Sequence, residues 1–201
     1  MYKLLVRIPF FGIVLRIFNS YAYDGDFRAD DRFASFYCWL KAYLVPFLFS
    51  IAMASLMMPV VINPFLPAFI QLGYKVEAVP GDISTSIFPS LLGFGIGVYA
   101  LVFALEKRLV QDLQNSFKKA DGSSSDQGSA LLLNTEMALP LVVIALTLAV
   151  AVLQKALVGS VLLNFLAWFS LWLSIYFMVE LINTLFMMGE AHLTQSLKRD
   201  N

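Results

Sequence analysis

The stretch "SIFPSLLGFGIGVYALVFAL", from Ser86 to Leu105, decides the fold class of this chain. It belongs to a longer run, Ile83 to Leu105, that contains no charged residue. A helix that crosses a bilayer needs about 20 consecutive apolar residues, and this run is long enough. Its three alternate glycines, Gly93, Gly95 and Gly97, suggest either a phosphate-binding loop or a close contact between two membrane helices.

The spacing of these glycines argues against phosphate binding. A dinucleotide fingerprint has the pattern Gly-x-Gly-x-x-Gly between a strand and a helix, whereas this chain has Gly-x-Gly-x-Gly. A P-loop ends in Gly-Lys-Ser/Thr, and that ending is absent from the stretch. Because the glycines also lie inside a membrane-length segment, we interpret them as packing residues.

Small side chains recur along one face of this segment at intervals of four, three, four, three and four residues. Such a face lets the backbone of a neighbouring helix approach closely, and dispersion contacts then hold the pair. The alternative is chance enrichment, since glycine is common in membrane helices. We predict a packing seam, whose partner is a helix either of the same chain or of another copy. The seam consists of Ser86, Ser90, Gly93, Gly97, Ala100 and Ala104.

The composition of the whole chain also indicates a membrane protein. Of the 201 residues, 59% are hydrophobic and only 14% are charged, and the mean hydropathy is +0.75. Soluble domains carry about 25% charged residues. Uncharged runs occur at Ala42–Ile62, Ile83–Leu105, Met137–Leu153 and Ala156–Val179. We therefore predict an all-α integral membrane protein, with a four-helix transmembrane domain over residues 42–188.

The distribution of Lys and Arg predicts the orientation of these helices. Only Lys75 and Lys155, of the 14 basic residues, lie in the loops between helices one and two and between helices three and four. Cytoplasmic loops are enriched in Lys and Arg, so both termini and the middle loop are expected in the cytoplasm. The predicted cytoplasmic basic residues are Lys3, Arg7, Arg16, Arg28, Arg32, Lys41, Lys107, Arg108, Lys118, Lys119, Lys198 and Arg199.

Residues 1–41 are predicted to form a cytoplasmic or interfacial amphipathic segment. Its basic residues would face lipid headgroups, while Phe10, Phe11, Ile13 and Phe18 would enter the acyl boundary. The mixed charges from Asp24 to Arg32 are interpreted as a solvated connector. An alternative is a secretory signal with a cleavage site at residues 20–22, although Arg16 shortens its apolar core.

The loops and helix ends give further expectations. Three prolines between residues 63 and 82 argue against a long helix there. Asp82 or Ser84 could cap helix two, and Asn134 could cap helix three, which would put Pro140 close to a first turn. The short connector at residues 154–160 requires helices three and four to be antiparallel neighbours.

Helix two is predicted to extend into the cytoplasm as an amphipathic helix. Leu109, Leu113 and Phe117 continue its apolar face at four-residue spacing. This face packs either on the chain itself or on a soluble partner. A flexible linker follows at residues 120–129, within a cytoplasmic region at about 106–136, and residues 189–201 form a cytoplasmic tail.

The polar residues of the membrane region concentrate in helix four: Asn164, Tyr176, Glu180 and Asn183. Intramembrane carboxylates usually face the bundle interior and often mark ion pathways or buried partners. Glu180 has three interpretations: a buried structural hydrogen bond, a residue at the cytoplasmic boundary that pairs with Lys107 or Arg108, or a functional group for ions, protons or sensing.

Nothing in the sequence predicts an enzyme, a cofactor or a metal site. The single cysteine, Cys38, and the single histidine, His192, lie in different segments, so neither metal-ligand spacing nor a Ser/His/Asp arrangement can be proposed. The balanced charge gives no indication of direct nucleic-acid binding. Catalytic, cofactor-binding and metal-binding residues are therefore all expected to be absent.

The order of these segments, together with "PSLLGFGIGVYAL" from Pro89 to Leu101, resembles the four-helix membrane subunits of bacterial anti-phage systems, in particular the membrane component of Kiwa. The resemblance implies an inner-membrane homo-oligomer that senses infection at the envelope and recruits a cytosolic effector protein. It implies no catalytic residue.

Two functions remain open at this point. The first is an oligomeric membrane sensor and scaffold in antiviral defence, assembled through the seam. The second is an ion channel or pore that perturbs the membrane potential. A pore would be lined by the polar residues of helix four, which are few.

Overall fold

A computed structural model of the chain describes residues 2–24, 26–104 and 129–199, and every regular element in these ranges is a helix. Seven α-helices are numbered here in chain order, and 3-10 turns lie at Phe27–Asp30 and Asn63–Phe65. The α-helices are α1 (Tyr2–Leu5), α2 (Phe11–Ala22), α3 (Phe36–Met57), α4 (Pro59–Ile62), α5 (Pro80–Ala104), α6 (Ser129–Ala156) and α7 (Val161–Arg199).

The prediction of an all-α chain with four membrane-spanning helices is confirmed. The four spans are Phe36–Met57, Pro80–Leu101, Leu132–Ala156 and Val161–Met187. Each is long and apolar enough to cross a bilayer, which identifies the chain as a multi-pass membrane protein. The first span begins six residues before the uncharged run, because the segment from Phe36 to Lys41 is already helical.

The helix ends of α6 and α7 differ from the prediction. Asn134 was expected to cap helix three, but α6 begins at Ser129 and Asn134 lies inside it. Pro140 therefore lies in the middle of the helix, which membrane helices tolerate because neighbouring groups satisfy the freed carbonyl. Residues 129–136, predicted to belong to the region of extension and linker, are therefore part of α6, and α7 continues through the predicted tail to Arg199.

The expected caps of α5 are also wrong. The helix begins at Pro80, before either candidate. Asp82 instead forms an ion pair with Lys155 (Oδ1 to Nζ, 2.9 Å), and Ser84 is buried. The loop before α5 has no long helix, as predicted, and Asn63 holds it through two hydrogen bonds to the backbone of Leu72 (2.9 and 3.0 Å).

The chain divides into two compact units. The first, called here the N-terminal unit, comprises residues 1–43, 96–140 and 178–201. Its buried side chains include Met137, Leu139 and Leu181.

The second, called here the hairpin unit, comprises residues 44–95 and 141–177. Its core lies between α6 and α7, where Ile144 and Phe177 are fully buried. The hydroxyl of Thr147 bonds to that of Ser174 (2.7 Å) and donates to the carbonyl of Ser170 (3.0 Å), so the two helices share a hydrogen-bonded polar contact. Two small buried residues lie at helical spacing from this contact, Ala151 one turn after Thr147 and Ala167 two turns before Ser174, and small residues favour a close approach of helices.

Candidate functional site

The predicted seam lies on an exposed face of α5. Ser86, Ser90, Gly93, Gly97 and Ala100 are all exposed, and Ala104 is the last residue of the helix. No described atom lies within 4 Å of a Cβ built on Gly93 or Gly97. The seam therefore makes no close contact with another described helix of the same chain.

The opposite face of α5 packs on the chain itself, and this face contains different glycines. Gly81, Ser84, Phe88 and Gly95 are buried there. A Cβ on Gly81 would overlap Oε1 of Gln154 and lie 3.1 Å from the carbonyl oxygen of Ala151. A Cβ on Gly95 would overlap a methyl group of Leu141. Within the chain, a side chain at Gly95 would therefore meet a neighbour, whereas one at Gly93 or Gly97 would not.

The two faces follow from helical geometry. Residues 86, 90, 93, 97, 100 and 104 share one side of an α-helix, and residues 81, 84, 88 and 95 lie about half a turn away. Only 17% of the α5 span is buried inside the chain, compared with 39% for the spans of α6 and α7. The seam is therefore the face of α5 that the described chain leaves uncovered. Its side chains are unusually small for a helix face that contacts lipid tails.

In the N-terminal unit, hydrogen bonds join helix α2 to three of the spans. Ser20 bonds to Thr135 of α6 (2.9 Å), and the Tyr21 phenol donates to Oε2 of Glu180 on α7 (2.8 Å). The Tyr43 phenol of α3 donates to the carbonyl of Phe18 (2.8 Å). Residues 20–22, the candidate cleavage site of the alternative interpretation, thus form part of the packed unit.

Asn19 connects α2 to the segment that follows it. Its side chain is fully buried, and its amide donates to the carbonyls of Ala29 and Arg32 (2.9 Å each). Its carbonyl oxygen accepts a bond from the backbone of Ala34 (2.8 Å). The segment from Asp24 to Arg32, predicted to be a solvated connector, is therefore partly fixed against α2.

Two ion pairs involve this segment. Arg16 binds Asp30 (2.8 Å), and the Arg28 guanidinium binds Asp26. The hydrogen bond from Arg28 lowers the pKa of Asp26 below its usual value. The carboxylate of Asp26 also accepts a bond from the backbone of Arg28 (2.8 Å), so it caps the 3-10 turn.

The apolar residues predicted to enter the membrane boundary divide into two groups. Phe10, Phe11 and Ile13 are exposed, at 71%, 50% and 65%. Phe18 instead stacks on the Tyr43 ring at 5.6 Å. The exposed group leaves an apolar side of α2 that fits an interfacial position.

Two carboxylates from different spans lie in the N-terminal unit. Glu136 of α6 accepts a hydrogen bond from the Thr184 hydroxyl of α7 (3.2 Å), and Thr184 lies one turn after Glu180. Both glutamates are half-buried. Among the described residues, no Lys, Arg or His forms an ion pair with either carboxylate.

The remaining predicted polar residues are not brought together. Asn164 lines a cleft in the hairpin unit, and Tyr176 packs against Phe49 with ring centroids 5.8 Å apart. Asn183 is exposed. The predicted partner-binding residues Leu109, Leu113 and Phe117 lie outside the described residues, as do Lys107 and Arg108.

Sequence reasoning missed Glu136, Thr184 and Tyr21. Glu136 lies just before the uncharged run that begins at Met137, but the apolar residues 131–133 indicate that the helix starts earlier. Tyr21 gave no signal, since its partner is 159 residues away in the sequence.

Within the described ranges, no group of three or more His, Cys, Asp or Glu side chains has an arrangement that could hold a metal ion. The polar groups of the N-terminal unit bind one another instead.

The chain matches no protein-family model, no curated protein and no solved structure.

Proposed function

We propose that this protein is a self-associating membrane scaffold, whose copies assemble through the seam on α5. The observation that carries the proposal is the open space around Gly93 and Gly97. A helix face of small residues gains little by facing lipid tails, but it allows a second backbone to approach closely. The packed face of α5 already uses Gly81 and Gly95 within the chain, so the seam remains for another copy.

The arrangement of charges supports a cytoplasmic role for the parts outside the spans. We propose that both termini and the loop between α5 and α6 lie in the cytoplasm of a bacterial cell, because 12 of the 14 basic residues fall there. In this orientation the N-terminal unit lies at the inner leaflet. We propose that a cytosolic effector protein binds on this side of the membrane, at the sequence positions Leu109, Leu113 and Phe117.

The biological setting we propose is anti-phage defence. The support is the resemblance of Pro89–Leu101 and of the segment order to the membrane component of Kiwa. In this setting the assembled copies sense a change at the inner membrane and hold the effector there. Direct nucleic-acid binding, a cofactor and an enzymatic activity have no part in the proposal.

Disulfide cross-linking in membranes tests the assembly. In a Cys38→Ser background, Ser90→Cys places a thiol on the seam, and Ile87→Cys places one about 60° away from Ser90 on the same helix. Both positions are exposed, so access to the oxidant is matched. We expect a cross-linked dimer for Ser90→Cys and much less for Ile87→Cys. Equal cross-linking at both positions, or none at Ser90, would contradict the proposed seam.

Co-purification tests the recruitment of an effector. The full chain is expressed with the product of the neighbouring gene and isolated in detergent. We expect the soluble product to be retained, and Leu113→Asp to release it while the assembly of copies remains. If both wild type and variant assemble but neither retains the soluble product, self-association is supported and the scaffold role is contradicted.

An ion channel is the second candidate, and one observation favours it. Glu136 and Glu180 lie within the apolar spans, and neither has a cationic partner among the described residues. Intramembrane carboxylates of this kind often mark ion or proton pathways. A potential-sensitive dye in cells that express wild type, Glu136→Gln or Glu180→Gln separates the candidates. Depolarisation that depends on these two residues would favour the channel.

A further inference from the structure

We propose that the hairpin unit contains a binding site for an anionic phospholipid, in a cleft where three membrane spans end. The cleft has a volume of about 690 Å³. Its wall is formed by the end of α3, by α4, by the loop around residues 72–76 and by the connector between α6 and α7. This volume is within the range of small-molecule sites, about 300–1,000 Å³.

The position of the cleft indicates a lipid. Spans end where hydrocarbon gives way to headgroups, and the cleft adjoins the last residues of the α3 and α6 spans and the first residues of the α7 span. Met57, Val60, Leu157 and Val161 provide apolar walls. A ligand at this level needs both an apolar part and a polar part, as a phospholipid has.

The charge of the cleft indicates an anionic headgroup. Lys75 is its single charged lining residue, it is exposed, and it forms no ion pair among the described residues. Lys155, the other basic residue near this end of the spans, does not line the cleft and is already paired with Asp82. The Lys75 ammonium group is therefore available for a phosphate.

Two further groups add polar character to the cleft beside Lys75: the side chain of Asn164 and the backbone at the start of α7. Asn164 lines the cleft about one turn into α7, and its side-chain amide makes no hydrogen bond within the described chain. At the start of α7 the Ser160 hydroxyl accepts the bond from the backbone of Leu163, while Val161 and Leu162 have no described backbone acceptor. Free backbone donors at a helix start favour an anion, in addition to the charge of Lys75.

The site is independent of the seam on α5, because none of its lining residues belongs to that helix. An experiment can therefore contradict lipid binding without contradicting self-association, and an experiment on self-association leaves lipid binding untouched.

Native mass spectrometry of the full chain in detergent tests the proposal. The protein is titrated with dioleoyl phosphatidylglycerol and, separately, with dioleoyl phosphatidylcholine, which has the same chains but a zwitterionic headgroup. We expect the first phosphatidylglycerol to bind more tightly. Lys75→Gln should weaken it about fivefold, which corresponds to one lysine near an anionic lipid, and should leave phosphatidylcholine unchanged. Lys41→Gln removes the same charge from an exposed position in the other unit and should have no effect.

A second variant tests the cleft itself. Gly73 lines it, and a Cβ at this position would meet no atom within 4 Å, so Gly73→Phe introduces a bulky side chain at the cleft from an open backbone position. We expect Gly73→Phe to weaken binding of both lipids at unchanged thermal stability. Equal affinity for the two lipids, or an equal loss for Lys75→Gln and Lys41→Gln, would overturn the proposal. Displacement of the lipid by inorganic phosphate alone would also overturn it, because it would identify a site for a free anion.

Discussion

The Tyr21 phenol donates a hydrogen bond to the Glu180 carboxylate across 2.8 Å, and so joins the N-terminal helix α2 to the last membrane span. A partly buried hydrogen bond to a carboxylate is stronger than one between neutral groups. The contact also gives an intramembrane glutamate a defined partner. The carboxylate of Glu180 thus has a structural role, which is to hold α2, and this role requires no transport.

We expect Tyr21→Phe to weaken the attachment of α2 by about 1 kcal/mol, since the ring remains and only the hydrogen bond is lost. Glu180→Gln should weaken it less, because an amide oxygen still accepts the bond. Limited proteolysis of the segment around Asp24, in detergent or membranes, measures the attachment. Tyr37→Phe removes a phenol from a residue that is 73% exposed and should change nothing. If Tyr37→Phe and Tyr21→Phe accelerate cleavage equally, the Tyr21–Glu180 bond does not fix the helix.

Substitutions of the glycines of α5 should affect either the stability of the fold or the assembly of copies, depending on which face the glycine occupies. Gly81→Ala places a methyl group against Gln154 and 3.1 Å from the carbonyl of Ala151, which cannot move without shifting α6. We expect a loss of stability of about 1–3 kcal/mol, the usual cost of overpacking. Gly97→Leu should leave stability within about 0.5 kcal/mol, since its surroundings are open, but should prevent the assembly of copies.

Thermal unfolding and mass in nanodiscs measure these two effects separately. Gly95→Leu serves as the third variant, because it meets a movable methyl group of Leu141 and should cost stability without affecting assembly. A Gly97→Leu chain that still assembles with the wild-type mass would exclude the seam as the interface.

The sequence was sufficient to predict the four spans, because hydrocarbon thickness fixes the length of an uncharged run. It also predicted the small-residue face of α5, which depends only on helical periodicity. It did not predict where the helices begin. Asn134 and Pro140 suggest a helix start in water, but in the interior of a membrane protein such residues are tolerated inside a helix.

Contacts between distant parts of the chain were also beyond prediction. Asn19 is a polar residue in a basic, amphipathic segment, so the sequence suggests a position at the surface. In the structure it is fully buried and hydrogen-bonded to three backbone groups. Nothing in its local sequence specifies those partners. Likewise, the glycine pattern could not indicate that Gly81, outside the seam, leaves less room for a side chain than Gly93 or Gly97, because that space depends on how α6 packs.

The polar contact between α6 and α7 gives a prediction about the hairpin unit. Thr147→Val should destabilise the chain by about 0.5–1.5 kcal/mol, since Ser174 and the carbonyl of Ser170 lose their partner within a buried contact. Ser174→Ala should cost a similar amount, and the double variant should cost less than the sum. Ser170→Ala is the matched control, because the Ser170 hydroxyl bonds within its own helix, to Ala167. Unfolding in a denaturing detergent supplies the four free energies. Strict additivity would mean that the two hydroxyls do not interact.

The buried phenol of Tyr2 predicts how the N-terminal unit responds to alkaline pH. Tyr2 is 6% exposed and donates to the carbonyl of Ala29 (2.7 Å), and burial raises its pKa above the usual value of about 10. The unfolded chain therefore loses this proton at a lower pH than the folded chain. The stabilisation is complete below about pH 10 and is lost as the pH rises towards the pKa of the folded state. We expect cleavage of the segment around Asp24 to accelerate as the pH rises above about 10 in wild type. Tyr2→Phe should show a weaker acceleration, because phenylalanine has no proton to lose, whereas Tyr37→Phe should follow wild type. Identical pH profiles for wild type and Tyr2→Phe would show that this phenol does not hold the segment in place.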